Sequence, residues 1–143
     1  MKTNKGFTLI ELLAVIVILA IIALITVPVV INIINNAKKG AAEDSTYGVI
    51  ESAKLFWVSN QSTGGFETEN ATVVFKYNST SKAWETTISE ATKTLDMTGT
   101  KPTGDNASNI TIANGNVSVT NLKFGDYNCS SNAAGKVSCE KSA

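Results

Sequence analysis

The chain has 143 residues, which suits one ordinary domain or one small domain with an appended segment. Its 12 acidic residues balance 12 basic residues, all lysine, and this balance argues against a general nucleic-acid-binding protein, which usually has a basic surface. The sequence contains no histidine, which removes serine and cysteine catalytic triads and most zinc sites. We therefore expect no enzyme, no metal and no cofactor.

A long apolar run occupies residues 7–34. From Leu12 to Ile31 only Thr26 and Pro28 interrupt it. A membrane-spanning helix needs about 20 mostly apolar residues, whereas strands seldom exceed about 10 residues. Because the run is apolar on every face of a helix, it must be surrounded by lipid or by other protein.

Three interpretations of this run compete: a cleaved secretory signal, a permanent membrane anchor, and a segment that leaves lipid for a protein assembly. Lys2 and Lys5 provide a basic start, but the run exceeds the roughly 7–15 apolar residues of a secretory signal, and no Ala-x-Ala pattern follows it. A simple anchor fits the length but does not explain Glu11, since a carboxylate inside a membrane helix costs about 2.5–3.5 kcal/mol. A shallow position of Glu11 at the membrane interface is the simpler alternative.

The segment KGFTLIELLAVIVILAIIALITVP resembles the N-terminus of type IV prepilins and their pseudopilin relatives. The matching features are a short basic leader that ends at Gly6, the following residues Phe7 to Glu11, and a long apolar helix that contains Pro28. The close match covers about residues 1–40, and the combined pattern is far more specific than a hydrophobic helix alone.

The resemblance implies how the N-terminus is processed. Residues 1–6 would be a leader peptide, and prepilin peptidase would cleave between Gly6 and Phe7 on the cytoplasmic side. The same enzyme would then methylate the new amine of Phe7. Residues 7–35 would remain as a hydrophobic transmembrane and assembly helix.

A role for Glu11 follows from this processing. After cleavage the cationic amine of Phe7 lies four residues before Glu11 on the same helix face, so the two charges can pair within the membrane. In a filament, the resemblance implies that Glu11 meets the Phe7 amine of a neighbouring subunit. Since a buried charge without its partner is strongly unfavourable, this pairing would set the subunit register more than add stability.

Pro28 predicts a kink in the helix. It lacks an N–H, so the hydrogen bond to the carbonyl of Leu24 is lost. Membrane helices tolerate such a residue, and a simple kink is therefore one interpretation. The resemblance suggests in addition that the helix near Pro28 loosens when subunits pack into a filament.

Residues 36–143 are predicted to form a globular head, which begins with the second half of the helix at residues 36–59. This half is amphipathic, and the side rich in small residues is expected to pack on the head. Its members are Ile34, Ala37, Ala41, Ser45, Gly48, Val49, Ser52 and Phe56. Gly64 and Gly65 mark a break, so residues 60–72 are predicted to be a loop.

Residues 73–143 are predicted to hold a β-sheet and a C-terminal disulfide loop. The branched and aromatic residues predict strands at 72–77, 83–88, 109–113, 116–124 and 136–140, and Asn114-Gly115 is a strong hairpin signal. Residues 89–99 are predicted to be a helical turn or a short helix. An antiparallel sheet on the helix gives an α+β chain. The resemblance implies the type IV pilin fold, in which the hydrophobic half of the helix protrudes from the head.

Cys129 and Cys139 lie near the C-terminus, and in a head outside the membrane they are interpreted most simply as a disulfide. Two free thiols are the alternative. The chain-entropy model gives about 3 kcal/mol for a loop of this size. The resemblance supports the pairing only in part, because many pilins close a C-terminal loop in this way and others have no cysteines. Trp57 and Trp84 are expected in the core rather than at a ligand site.

The resemblance implies a structural subunit of an extracellular type IV pilus that polymerises through its N-terminal helix and supports adhesion, surface motility or biofilm formation. Its implied partners are copies of itself, prepilin peptidase, a pilus assembly ATPase, a membrane platform protein and, before assembly, the membrane. The precursor would be single-pass with its head outside. Nucleic acid is not expected, although folding could gather the scattered lysines, and no host or surface ligand is indicated.

Two finer expectations concern the kind of subunit and its source. Intact Phe7 and Glu11 favour a major subunit over a minor one that starts the tip. A composition with lysine as the sole basic residue, rich in Asn and Ile, suggests together with the short leader a Gram-positive, clostridial-like source. The alternatives are a pseudopilin of a type II secretion or competence (DNA-uptake) system, and a single-pass binding module that forms no fibre.

Overall fold

The computed structural model describes residues 5–62 and 71–143, so part of the leader (1–6), part of the predicted loop (60–72) and the break at Gly64-Gly65 lie outside the described residues. One long helix, α1 (Leu9–Ser62), precedes a series of strands. The strands are β1 (Thr72–Asn78), β2 (Ala83–Ile88), β3 (Ala91–Thr94), β4 (Asn109–Ala113), β5 (Asn116–Thr120), β6 (Leu122–Phe124), β7 (Tyr127–Ser131) and β8 (Val137–Lys141). The expected α+β architecture, a long N-terminal helix with antiparallel sheet, is confirmed and is consistent with the type IV pilin fold.

The chain divides into two compact units, residues 1–38 and residues 39–143. Within the described residues, the first unit consists of a short non-helical start and the apolar part of α1. The second unit, here called the head, contains the rest of α1 and the strands. Helix α1 is continuous across Pro28, and the kink predicted there stays a prediction.

The head contains two antiparallel sheets. The larger sheet has the strand order β3-β2-β1-β4-β5, and the smaller has the order β6-β7-β8. Hydroxyl groups connect them, since the N–H of Val119 donates to Ser131 Oγ and the N–H of Asn121 donates to Ser130 Oγ, both at 2.9 Å. Ser131 of β7 therefore satisfies a backbone donor at the outer edge of β5, which would otherwise be an open sheet edge, and Ser130 satisfies one just after that strand.

The core of the head forms between α1 and the sheets. The helix is buried along one side, at Ala42, Thr46, Val49, Ile50, Ala53 and Trp57. The ring of Phe56 meets the fully buried Phe75 of β1 edge-on, with the ring centroids 4.9 Å apart. Both predicted core tryptophans are buried, and the indole N–H of Trp84 donates to the carbonyl of Pro102 at 3.0 Å.

The predicted small-residue side of the helix is the packing face only in part, since Val49 is buried and Phe56 contacts Phe75. Ala41 and Gly48 are exposed, and the buried side is offset by one residue, which rotates it by about 100°. The sheets offer large apolar side chains such as Phe75, Ile110 and Ile112, so the helix turns the side with Ile50 and Trp57 toward them. Burial of larger side chains outweighs the close approach that small residues permit.

The predicted helical segment at 89–99 is also wrong, because it contains strand β3. Ser89 and Glu90 have φ of 50° and 66°, and this pair of left-handed residues forms a tight turn between β2 and β3. A turn in which both central residues have positive φ matches the twist of a hairpin. The threonines of β3 also favour a strand over a helix.

The predicted strand at 116–124 is divided, and strand β7 was missed as well as β3. Asn121 has φ of 53°, a left-handed conformation that ends β5 and lets the chain enter β6 in the other sheet. Strand β7 is polar apart from Tyr127 and Cys129, so its sequence lacks the apolar alternation that marks a strand. The predicted strand at 136–140 corresponds to β8, and helix α1 extends to Ser62 rather than to residue 59.

The structure contains the disulfide between Cys129 and Cys139. These residues face each other across the β7–β8 pair, and both are buried. The bond joins strands of the smaller sheet, which has few large apolar side chains of its own. A cross-link of this kind stabilises the fold mainly by restricting the unfolded chain.

Candidate functional site

The surface of the first unit is almost entirely apolar along the helix from Leu12 to Ile31. Its large hydrophobic side chains are between 47% exposed, at Ile34, and 93% exposed, at Phe7. Among the described residues, α1 is the helix that is long and apolar enough to cross a membrane by length and composition. A single chain in water cannot bury this surface, so lipid or other protein must cover it.

A capping box starts helix α1. The N–H of Thr8 donates to Glu11 Oε2 at 2.8 Å, and the N–H of Glu11 faces Thr8 Oγ1 at 3.4 Å. Two backbone donors at the helix start therefore have side-chain acceptors, and Glu11 also places negative charge at the positive end of the helix dipole. The pattern Thr-x-x-Glu before an apolar run predicts this arrangement, and it is a sequence signal that the predictions above missed.

The two residues at the expected cleavage position lie just before this helix. Lys5 to Thr8 are not helical, and Gly6 and Phe7 are exposed. A Cβ atom added at Gly6 would meet no other atom within 4 Å. The peptide bond between Gly6 and Phe7 is thus in accessible, non-helical chain, which is the form of backbone that a peptidase can bind in an extended groove.

The structure places Phe7 and Glu11 in one shallow cleft, which Lys5, Gly6 and Thr8 also line. The chain still contains Gly6 here, so the nitrogen of Phe7 is a peptide N–H and stands in for the amine that cleavage would create. In this form the hydrogen-bond partner of the Glu11 carboxylate is Thr8. Cleavage would add a cation to a cleft whose carboxylate is already held in place by the helix cap.

Near Pro28, the helix contains a second side chain that binds backbone. Thr26 Oγ1 donates to the carbonyl of Ile22 at 2.9 Å and lies 3.4 Å from that of Ala23. A hydroxyl that binds the preceding turn satisfies itself without water, and such bonds often bend helices. Thr26 is therefore compatible with an apolar environment despite its polar group.

Two acidic side chains of the head, Asp105 and Glu85, have local partners that lower their pKa values. Asp105 accepts a hydrogen bond from Lys123 Nζ at 2.8 Å, and this contact, with further hydrogen bonds from Ala107 and Ser108, lowers its pKa to about 2. Hydrogen bonds from Ser81 and Asn78 lower the pKa of Glu85. These contacts tie loops to strands. Among the described residues, no group of three or more potential ligands is placed to hold a metal ion.

Comparison with known proteins identifies a motif at the N-terminus. Residues 1–27 match the family model described as "Prokaryotic N-terminal methylation motif". No curated protein and no solved structure matches the chain significantly. The motif supports a prepilin of the type IV pilin or pseudopilin kind, and with the apolar helix it fits a precursor anchored in the membrane. The match ends before Pro28, so it includes Gly6, Phe7 and Glu11 but no part of the head.

Proposed function

We propose that this protein is the major subunit of an extracellular type IV pilus, made as a membrane precursor and polymerised through the first half of α1. One observation supports this proposal above all: the methylation motif at residues 1–27 contains most of an apolar helical surface that the chain leaves uncovered and that continues to Ile34. A permanent anchor needs no such motif. A filament, in contrast, needs a surface that can exchange lipid neighbours for protein neighbours.

In this proposal, prepilin peptidase removes residues 1–6 and methylates Phe7. An assembly ATPase and a membrane platform protein then extract the subunit from the membrane. The pilus would serve adhesion, surface motility or biofilm formation. The composition and the short leader favour a Gram-positive, clostridial-like source.

Processing is tested by mass spectrometry of protein from native filaments. The expected N-terminus is Phe7, with the mass increased by one methyl group. Gly6→Val in the precursor is expected to stop cleavage, because a branched side chain beside the scissile bond would not fit a narrow peptidase active site that accepts glycine. Filaments built from chains that still contain residues 1–6 would contradict the proposal.

The role of Glu11 is tested with two variants, because the capping box gives this residue a local function as well. Glu11→Ala removes both the charge and the cap, whereas Glu11→Gln removes the charge and keeps a side chain that can cap the helix. We expect both variants to insert in the membrane and both to lose filaments, as counted by electron microscopy of producing cells. Normal filament numbers with Glu11→Gln would show that the cap matters and the charge pair does not.

The kind of fibre is tested by immunolabelling the head on producing cells. Long labelled surface filaments are the expected result. Short fibres restricted to the cell envelope would instead indicate a pseudopilin of a type II secretion or competence system. Label spread over the membrane without fibres would indicate a single-pass binding module.

A further inference from the structure

A cleft in the head brings together two lysines that are distant in sequence. Lys39 and Glu43 on α1 line one side of it, and Asn132 and Lys136 from the β7–β8 turn line the other. We call this the lysine cleft. Neither the predicted assembly helix nor the leader contains any of these residues.

Side chains of α1 attach the β7–β8 hairpin to the helix. The N–H of Val137 donates to the hydroxyl of Tyr47 at 3.2 Å, and the N–H of Cys139 donates to Glu43 Oε1 at 3.4 Å. Strand β8 is an edge strand, so these contacts also satisfy backbone donors that the sheet leaves open. The position of Lys136 relative to Lys39 is thereby set by the fold.

The turn that holds Lys136 is rigid. Asn132 Oδ1 accepts the N–H groups of Ala134 and Lys136, at 3.0 and 2.9 Å, and the N–H of Asn132 donates to the carbonyl of Lys136 at 2.9 Å. The disulfide cross-links the strands on both sides of the turn. A charged side chain on a rigid turn loses little backbone entropy when it binds a partner.

The single carboxylate of the cleft, Glu43, does not neutralise both of its lysines. Lys39 Nζ lies 3.9 Å from Glu43 Oε1, with the lysine side chain 48% exposed. Glu43 shares that oxygen with the N–H of Cys139, so it is partly occupied. Among the residues that the structure describes, no ion pair joins Lys136 to a carboxylate.

The position of Lys39 along α1 indicates what would meet these lysines. Lys39 follows Ile34, the last residue of the apolar run, by five residues of continuous helix, or about 7.5 Å. If the apolar run spans the bilayer, that distance places Lys39 in the headgroup layer, which is several ångströms deep on each side of the hydrocarbon core. Lys136 lines the same cleft as Lys39, so a headgroup that meets one of these lysines can meet the other.

We propose that the lysine cleft binds the phosphodiester groups of anionic phospholipids while the precursor is anchored in the membrane. Lysine binds phosphate as a point charge, and anionic leaflets attract lysines beside a membrane helix. The proposal rests on the membrane-anchored precursor of the proposed function. It adds a second contact with the bilayer, made by the head, which a subunit would have to release before it entered a fibre.

The test is lysine footprinting of the full chain. The precursor is reconstituted in vesicles of phosphatidylcholine with or without phosphatidylglycerol, and flotation establishes that it is anchored. A membrane-impermeant amine reagent then labels lysines, and mass spectrometry gives the labelling rate of each. We expect Lys39 and Lys136 to react about fivefold more slowly in the anionic vesicles. Lys82 and Lys93, in the β1–β2 turn and in β3, serve as internal controls and should not change.

Two further measurements test whether the protection of the cleft lysines comes from lipid phosphate or from free phosphate. Lys136→Gln should increase the labelling of Lys39 in anionic vesicles, whereas the matched control Lys93→Gln should not. Inorganic phosphate added to the chain in detergent micelles without lipid should protect neither lysine of the cleft. Equal protection by phosphate in micelles would overturn the lipid assignment in favour of a site for free phosphate.

The outcomes separate this inference from the proposed function. A chain that does not float with vesicles would defeat the membrane anchor, and with it this inference. A chain that floats but shows no selective protection of Lys39 and Lys136, or equal protection at all four lysines, would overturn the inference alone.

Discussion

The two halves of helix α1 differ in where their apolar side chains find neighbours. In the first unit, residues such as Leu19 and Ile22 are more than half exposed, whereas in the head Val49, Ala53 and Trp57 are buried against the sheets. The head therefore obtains its hydrophobic stabilisation within one chain. The apolar side chains of the first half must be buried by lipid or by other copies of the chain. The two halves of one helix are therefore stabilised by different partners.

The largest expected effect on the stability of the head comes from replacing a large apolar side chain by alanine, a change that can be made in the head and in the first unit. Phe75→Ala removes a fully buried ring and should destabilise the head by about 3–5 kcal/mol, because it leaves a cavity under α1. Leu19→Ala should leave the unfolding midpoint of the head unchanged, since the side chain is 58% exposed. Chemical denaturation of the full chain in detergent, followed by tryptophan fluorescence, measures both. A similar loss in the two variants would contradict the comparison.

The disulfide comes next in size. Reduction of the bond between Cys129 and Cys139 should cost the head about 3 kcal/mol, since the loop that it closes spans ten residues. The measurement compares the denaturation midpoint with and without a reductant. A Cys129→Ala/Cys139→Ala variant is the control, because its midpoint should not respond to the reductant. Insertion of the apolar segment, measured by flotation, should be the same in all samples.

Two glycines of the head should respond in opposite directions. A Cβ at Gly104 would lie 2.8 Å from Cβ of Tyr77 and 2.9 Å from Cη2 of Trp84, so Gly104→Ala should destabilise the head by about 1–3 kcal/mol through overpacking. A Cβ at Gly48 would meet nothing within 4 Å. Gly48→Ala, in the helix, should stabilise by up to about 1 kcal/mol. Thermal unfolding of the two variants tests the pair, and a lower midpoint for Gly48→Ala would contradict the assignment of an open helix face.

The smallest effect is a pH dependence confined to the head. The pKa of Asp105 falls from 3.8 to about 2 on folding, so this carboxylate stabilises the fold above pH 3.8, and the contribution disappears as the pH falls to about 2. In Asp105→Asn, the free energy of unfolding of the head should depend less on pH over that range. Glu85, whose pKa is also lowered, gives a matched variant, Glu85→Gln. Acid titrations at low and high salt test this, and the Asp105 effect should shrink in salt because its ion pair with Lys123 is exposed.

Local patterns account for most of the correct sequence predictions. The strands at 83–88 and 109–113 were predicted with the bounds that the structure shows, because branched residues and turn signals act over a few positions. The capping box of Thr8 and Glu11 was equally local, and it was available to sequence reasoning. In contrast, β7 could not be identified, since its polar residues are ordered by pairing with β6 and β8 rather than by their own preferences.

The long apolar run, its lone acidic residue and the short basic leader before it are properties of the sequence, because length and hydrophobicity need no partner to be recognised. The buried side of α1, the close approach at Gly104 and the cleft shared by Lys39 and Lys136 required the folded chain. Each of these depends on residues far apart in sequence, whose distances are set by how the sheets pack on the helix. Side chains that only the fold brings together leave no periodic signal in the sequence. The hydrophobic pattern could therefore locate the helix along the chain but could not identify which side of it packs on the sheets.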